Sequence, residues 1–229
     1  MILRMRRLLF LLVVAVALAA PAAAGAVERT VSVTATIERQ VPNDAAEVHF
    51  VVSKERTGRA AALRVVALRV KAVIGASQGI AGVGAGDVTT GSISVRRVER
   101  GKKPVYRASE GVTVVTHQPE AAGDLVAAGV AAGATSTRGP RFFVGDREAA
   151  YDAALVEALT QAKAKAGLLA AAAGATLGPA ITIVEGGGVT PVSGTRGASS
   201  PKAEDVAAPP VKPGKSTVEA TVAATFALE

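Results

Sequence analysis

The chain has no cysteine and no tryptophan, only two histidines, and aromatic residues make up just 3% of it. Without cysteine there can be no disulfide, no thiol nucleophile and no lipid attached at a cysteine. With His49 and His117 as the only imidazoles, a zinc centre built on three or four histidine or cysteine ligands is out of reach. The scarcity of aromatic rings removes the stacking platforms on which single-stranded nucleic acids are bound. The net charge of +7 is too modest to make a nucleic-acid partner a good expectation by itself. No partner of that class is expected, and no cofactor or metal.

What is present begins with a leader. Arg4, Arg6 and Arg7 precede an apolar run from Leu8 to Ala20, and Ala22-Ala23-Ala24-Gly25-Ala26 follows. These are the basic, apolar and small-residue regions of a secretory signal peptide. Cleavage is expected after Ala26, with Ala24 as second choice. The run falls short of the ~20 apolar residues that span a bilayer, so no membrane span is expected after cleavage. The protein is expected in the periplasm or outside the cell, where a fold without disulfides stands on its core alone. Loss of the three leader arginines leaves a mildly basic chain of net charge +4.

The rest alternates between two periodicities. Val31, Val33, Ala35 and Ile37 recur at every second residue, as on a half-buried strand. Pro42-Asn43-Asp44 makes a turn into a second strand, with Ala46, Val48, Phe50 and Val52 on one face and Glu47, His49 and Val51 on the other. Thr57 is positioned to cap a helix to about Ser77, with Leu63, Val66, Val70 and Val73 on its apolar side. Strands are predicted over Val88 to Val98 and Val105 to Thr116, joined by a long basic tip at Arg100-Gly101-Lys102-Lys103-Pro104. A helix from Pro119 to Ala132 ends at Gly133. A short strand follows over Arg141 to Val144, and Asp146 caps a long helix from Arg147 to Ala173. That helix carries a small-residue stripe of Ala150, Ala154, Leu155, Ala158, Ala162 and Leu169. Leu177 to Glu185 is a strand. The Gly-, Pro- and Ser-rich stretch 186–213 reads as a flexible loop. A last alternating strand, Val218 to Leu228, must hide its apolar face, and is expected beside the Val31 strand.

The order ββα-ββα-βα-ββ predicts an α+β fold, rich in antiparallel sheet, with helices packed on one face. Residues 27–103 together with 214–229 are expected to form a first unit closed by the C-terminal strand. Residues 104–185 are expected to form a second, ferredoxin-like βαβαβ unit.

No constellation for catalysis stands out. No Ser sits in a G-x-S-x-G turn and no H-E-x-x-H occurs. Gly82-Val83-Gly84-Ala85-Gly86 follows a helix and precedes a strand, the reverse of a phosphate cradle. His49 and Glu47 share the outer face of one strand, but two ligands do not make a metal site. His117 reads as a turn residue. The expectation is a non-enzymatic protein without catalytic residues. The basic tip, Arg100, Lys102 and Lys103, is the candidate contact for a partner. The Val31 and Val218 strands, which carry few charges, are the candidate edges for association.

The ordered motifs resemble a family of bacterial exported proteins, the SIMPL-domain family. Val41-Pro42-Asn43-Asp44-Ala45 is similar to its P-D-x-A segment, with Asn43 where relatives often have Asp. Gly82-Val83 through Asp87-Val88-Thr89-Thr90 resembles its G-[IV]-x-x-x-D-[IV]-x-T loop. Tyr106-Arg107-Ala108 with Val112 and Val114 is similar to its Y-x-A strand. Gly133-Ala134, Gly139 and Phe142, then Ala162-Lys163-Ala164-Lys165-Ala166, continue the likeness. The first strand departs from it, having Thr34-Ala35-Thr36 in place of G-x-G. The resemblance implies a cell-envelope location, a loose link to oxidative stress and envelope maintenance, and ring-like self-assembly. It implies no catalytic residues. A homo-oligomer is therefore the leading expectation. The alternative is a periplasmic binding module for a partner protein or envelope component.

Overall fold

A computed structural model of the chain describes residues 28–100, 103–186 and 208–229. The expected signal peptide and its cleavage site lie outside these residues, as do Gly101, Lys102 and most of the 186–213 loop. No helix among the described residues is long and apolar enough to cross a membrane.

The fold is α+β, and the described residues form eight strands, in two antiparallel sheets, and three α-helices. The elements run β1 (Thr30–Pro42), β2 (Ala45–Arg56), α1 (Arg59–Gln78), β3 (Val88–Thr90), β4 (Ser94–Arg100), β5 (Lys103–Thr116), α2 (Ala122–Ala131), β6 (Ser136–Phe143), α3 (Arg147–Ala172), β7 (Leu177–Gly186) and β8 (Lys215–Leu228). The expected Val88 to Val98 strand is thus two strands. Gly91 interrupts it, donating its N–H to the carbonyl of Gly111 on β5. The hairpin tip is also shorter than expected, since Arg100 already pairs with Lys103. Thr57 does not cap α1; the capping position is Gly58, with no side-chain bond. β6 begins five residues before the predicted strand, and its register shifts opposite Glu47 and His49.

The three-stranded sheet has the order β1-β8-β7. β8 pairs antiparallel with β1 from Thr30↔Ala227 to Pro42↔Lys215, the neighbour that its alternating apolar face demanded. β8 also pairs with β7, so it is a central strand, and the expectation that it offers an open edge is corrected. The open edges of this sheet are β1 and β7. On its inner face Ala35, Val222, Ala224 and Phe226 meet Ala158, Ala162 and Ala166 of α3. The buried stripe of α3 is Ala154, Ala158, Ala162, Ala166 and Ala170, a strict four-residue repeat on one helical face. Leu169, expected on that stripe, is 52% exposed. Its place in the turn points it beside the sheet and not into it.

The five-stranded sheet has the order β3-β5-β2-β6, with β4 also paired to β5. Val48, Phe50 and Val52 of β2 and Val112 and Val114 of β5 face Val66, Val70 and Val73 of α1 and Leu125 of α2. Both helices lie on this one face because the inner row of β2 from Ala46 to Val52 is apolar. Pairing therefore cuts across the boundary expected at 103/104: β2 pairs with β5 and β6, while β7 pairs with β8. At the junction, the Asn43 amide donates to the Pro213 carbonyl at 2.7 Å, and its oxygen accepts from Ser216 Oγ at 2.6 Å. The turn between β1 and β2 is thereby tied to the start of β8.

Candidate functional site

Among the described residues the outer face of the five-stranded sheet carries no helix, and Glu47, His49, His117 and Arg100 map to it. Along β2, residues 47, 49, 51, 53 and 55 point outward by strand alternation. At one end of this face Asp44, Glu47, Asp87, Thr113, His117 and Asp146 line an open groove of ≈ 720 Å³. Four carboxylates and an imidazole in one groove suggest acid–base chemistry until their partners are counted.

Each carboxylate already holds part of the fold. Asp44 Oδ1 accepts the Gly145 N–H at 2.6 Å, and Asp146 Oδ1 accepts the Ala149 N–H at 2.9 Å, capping α3 as expected. Glu47 bridges to Arg141 at 3.3 Å. Asp87 accepts the Gly84 N–H at 2.8 Å through Oδ2 and faces His117 Nε2 at 3.1 Å through Oδ1. The Gly84 amide, and then His117, hold the Asp87 carboxyl below the usual carboxylate range. An acid stabilised in its charged form is a poor proton donor. No set of three or more carboxylate, histidine or cysteine groups placed to hold a metal ion occurs among the described residues.

Glu47 and His49 do share the outer face, but they do not act on one another. His49 Nδ1 bonds to Thr113 Oγ1 at 3.0 Å, and its ring lies over Gly111, where a Cβ would come within 2.9 Å of it. His117 closes β5 and reaches the glycine-rich loop. Its N–H donates to the Gly82 carbonyl at 2.8 Å, while Thr116 Oγ1 donates to the Ala81 carbonyl at 2.9 Å. Gly82 is needed there: its φ is +77°, and a Cβ would fall 2.6 Å from the Gln118 nitrogen. Sequence reasoning missed the Asp87–His117 pair, whose members are 30 residues apart.

The other end of the same face is basic. Arg100 Nε donates to Glu55 at 3.1 Å, Arg107 Nε donates to it at 2.8 Å, and Arg107 Nη2 also contacts it. These two guanidiniums, Arg100 first, hold the Glu55 carboxyl below its ordinary range. Arg96 stands opposite Arg107 in the β4–β5 ladder. Of the residues expected to touch a partner, Arg100 is thus tied to Glu55 yet remains 65% exposed. Lys103 contributes its backbone to the ladder, and Lys102 lies outside the described residues.

The glycine-rich loop, the Pro-Asn-Asp turn and the alanine-lined helix now have assigned places in the fold. The sequence profile of the SIMPL family, described as a protein of unknown function (DUF541), matches residues 31–226. The chain belongs to the SIMPL family. That match spans β1 through all but the last residues of β8, and so takes in both sheets of this SIMPL protein. No curated protein matches the chain.

Proposed function

We propose that this SIMPL protein is exported by its leader and works in the cell envelope as a self-assembling, non-enzymatic component, linked to envelope maintenance under stress. The observation that supports assembly is the pair of open edges on the three-stranded sheet. On β7, Ile181, Ile183 and Val184 are 49%, 52% and 53% exposed. On β1, Val33 borders a groove against α3 with Leu168 and Leu169, which are 74% and 52% exposed. Among the described residues neither edge has a strand partner. Each edge carries few charges, Glu38 and Arg39 on β1 and Glu185 on β7, and exposed apolar edges of this kind tend to pair with another chain. Because β1 and β7 are unlike surfaces, their contact is head-to-tail, and such contacts close into rings when the rotation permits.

The test is light scattering on the exported chain and on a double variant, Ile181→Lys with Ile183→Lys. The native protein elutes well above monomer mass, and the variant loses mass. Substitutions on β8, such as Thr217→Lys with Thr221→Lys, are the weaker test because β8 lies between its neighbours. Equal masses for native and β7 variant would remove this reading. Export is tested by the mature N-terminus, expected at Val27 or Gly25. The second reading, a binding module for an envelope component, rests on the exposed Arg100 at the basic hairpin.

A further inference from the structure

The open face of the five-stranded sheet sorts its charges to opposite ends. Around Glu55 stand Arg96, Arg100 and Arg107, a net positive end. Eight residues back along β2, the groove at Glu47 gathers four carboxylates against Arg141 and His117, a net negative end. Between them stand Val51, Ser53, Ser109, Gly111 and Thr113, with His49 and its ladder partner Arg138 on the side toward the acidic groove. A merely solvated sheet face mixes its charges and has no need to separate them.

We propose that this face is a contact between two copies of the chain, related by a two-fold axis that runs across the strands near Val51 and Gly111. This rests on the self-assembly reading but uses a different surface from the β7 edge. Two identical faces can be laid together in two ways. An axis along the strands sets the acidic end on the acidic end and the basic end on the basic end. An axis across the strands sets each acidic end on the partner's basic end, and sets the small residues of the two centres on one another. Charge complementarity selects the second arrangement, which is self-complementary as a two-fold contact requires. With no helix on this face among the described residues, the two sheets can approach to the usual separation of about 10 Å. Strands of 14, 12 and 8 residues in β5, β2 and β6, with 3 and 7 in β3 and β4, spaced about 4.8 Å apart, give a face of roughly 700 Å², near the contribution of each partner to a standard interface.

Light scattering on four forms of the exported chain tests this. All carry Ile181→Lys with Ile183→Lys, to silence the β7 edge. The first has no other change. The second, an acidic copy, adds Ser94→Glu with Arg96→Glu. The third, a basic copy, adds Glu47→Lys with Thr89→Lys. The fourth is an equimolar mixture of the acidic and basic copies. The edge-silenced protein is expected to be a dimer, each charge-altered copy a monomer, and the mixture a dimer again. The recovery also shows that both altered copies are folded. A monomeric edge-silenced protein, charge-altered copies that stay dimeric, or a mixture that stays monomeric would each overturn the face contact. The β7-edge reading fails separately, when native and edge-silenced proteins have the same mass.

Discussion

Behind the five-stranded sheet lie Phe50, Val66, Val73 and Leu125, contributed by one strand and two helices. Behind the three-stranded sheet lie the five alanines of a single helix, Ala154 to Ala170. Both layers exclude water, but they do so differently. The first fills its space with large apolar side chains, each contributing about 1.5–3 kcal/mol when buried. The second has little side-chain volume to bury and relies on close approach of α3 to β1 and β8. A helix drawn in so closely cannot cover the full width of its sheet. Ile181 and Ile183 on β7 and Leu169 beside β1 are left about half exposed on either side of it. Large-residue burial and exposed apolar edges thereby fall in different regions: the first lies behind the five-stranded sheet, and the second flanks the alanine layer.

Truncation in the large core is the strongest way to probe that contrast. Phe50 is fully buried between β2 and α2, against Gly129, where a Cβ would strike its ring. Phe50→Ala should cost about 3–5 kcal/mol. For a chain of this size that is a fall in melting temperature on the order of 10 °C, measurable by calorimetry. A fall of only a degree or two would mean that the five-stranded sheet does not dominate stability.

The alanine layer should fail in the opposite direction, by overfilling. Ala162 is completely buried between α3 and β8. Ala162→Leu has no space to enter and should cost about 1–3 kcal/mol, whereas the same change at the surface of α3 would cost almost nothing. Thermal unfolding of Ala162→Leu beside Ala171→Leu makes the comparison. Equal stability of the two would show that the layer is loose, and the account of the exposed edges would lose its basis.

Much of this division was visible in the sequence. The alternation in Val31 to Ile37 and in Val218 to Leu228 specified two strands that must hide one face each, and they found one another. Ala46 to Val52 announced a core strand. What could not be read was which strands share a sheet. Alternation fixes the face of a strand but not its neighbour, so β8 passed for an edge although β7 pairs along its other side. The stripe of α3 was misread at Leu169 because leucine looks like core by type, while the four-residue repeat of alanines marks the face that packs. Sidedness of the site residues was legible, as for Glu47 and His49. Their partners, Arg141 and Thr113, lie 94 and 64 residues away, and only the folded sheet brings them together.

The tie between the two layers should show a smaller effect. Asn43 uses both ends of its amide, donating to the Pro213 carbonyl and accepting from Ser216. An aspartate would keep the second bond but turn a carboxylate oxygen toward the carbonyl. Asn43→Asp should therefore cost about 1–2 kcal/mol, the penalty of an unmade buried hydrogen bond. Asn43→Ala should cost a similar amount. Denaturant unfolding measures both. An aspartate variant as stable as the native protein would show that the two layers do not depend on this tie.

The smallest effect belongs to the open face itself, where Asp87 is held below the usual carboxylate range by the Gly84 amide and then by His117. A lowered folded-state pKa means that the charged carboxylate stabilises the fold. That contribution is fully present above the ordinary Asp value of 3.8, and it disappears as the pH falls through the depressed folded value. Asp87→Asn should therefore lower the melting temperature at pH 7 and make no difference once both proteins are measured at strongly acidic pH. The His117 side chain is 59% exposed, so solvent screens the pair and the loss at pH 7 should be about 0.5 kcal/mol or less. Scanning calorimetry from pH 7 to pH 2 reads the difference between the two proteins. A gap that widens as the pH falls would carry the opposite sign. It would mean that Asp87 is stabilised in its protonated form, and the acidic end of the face would then be less negative than the docking of two copies requires.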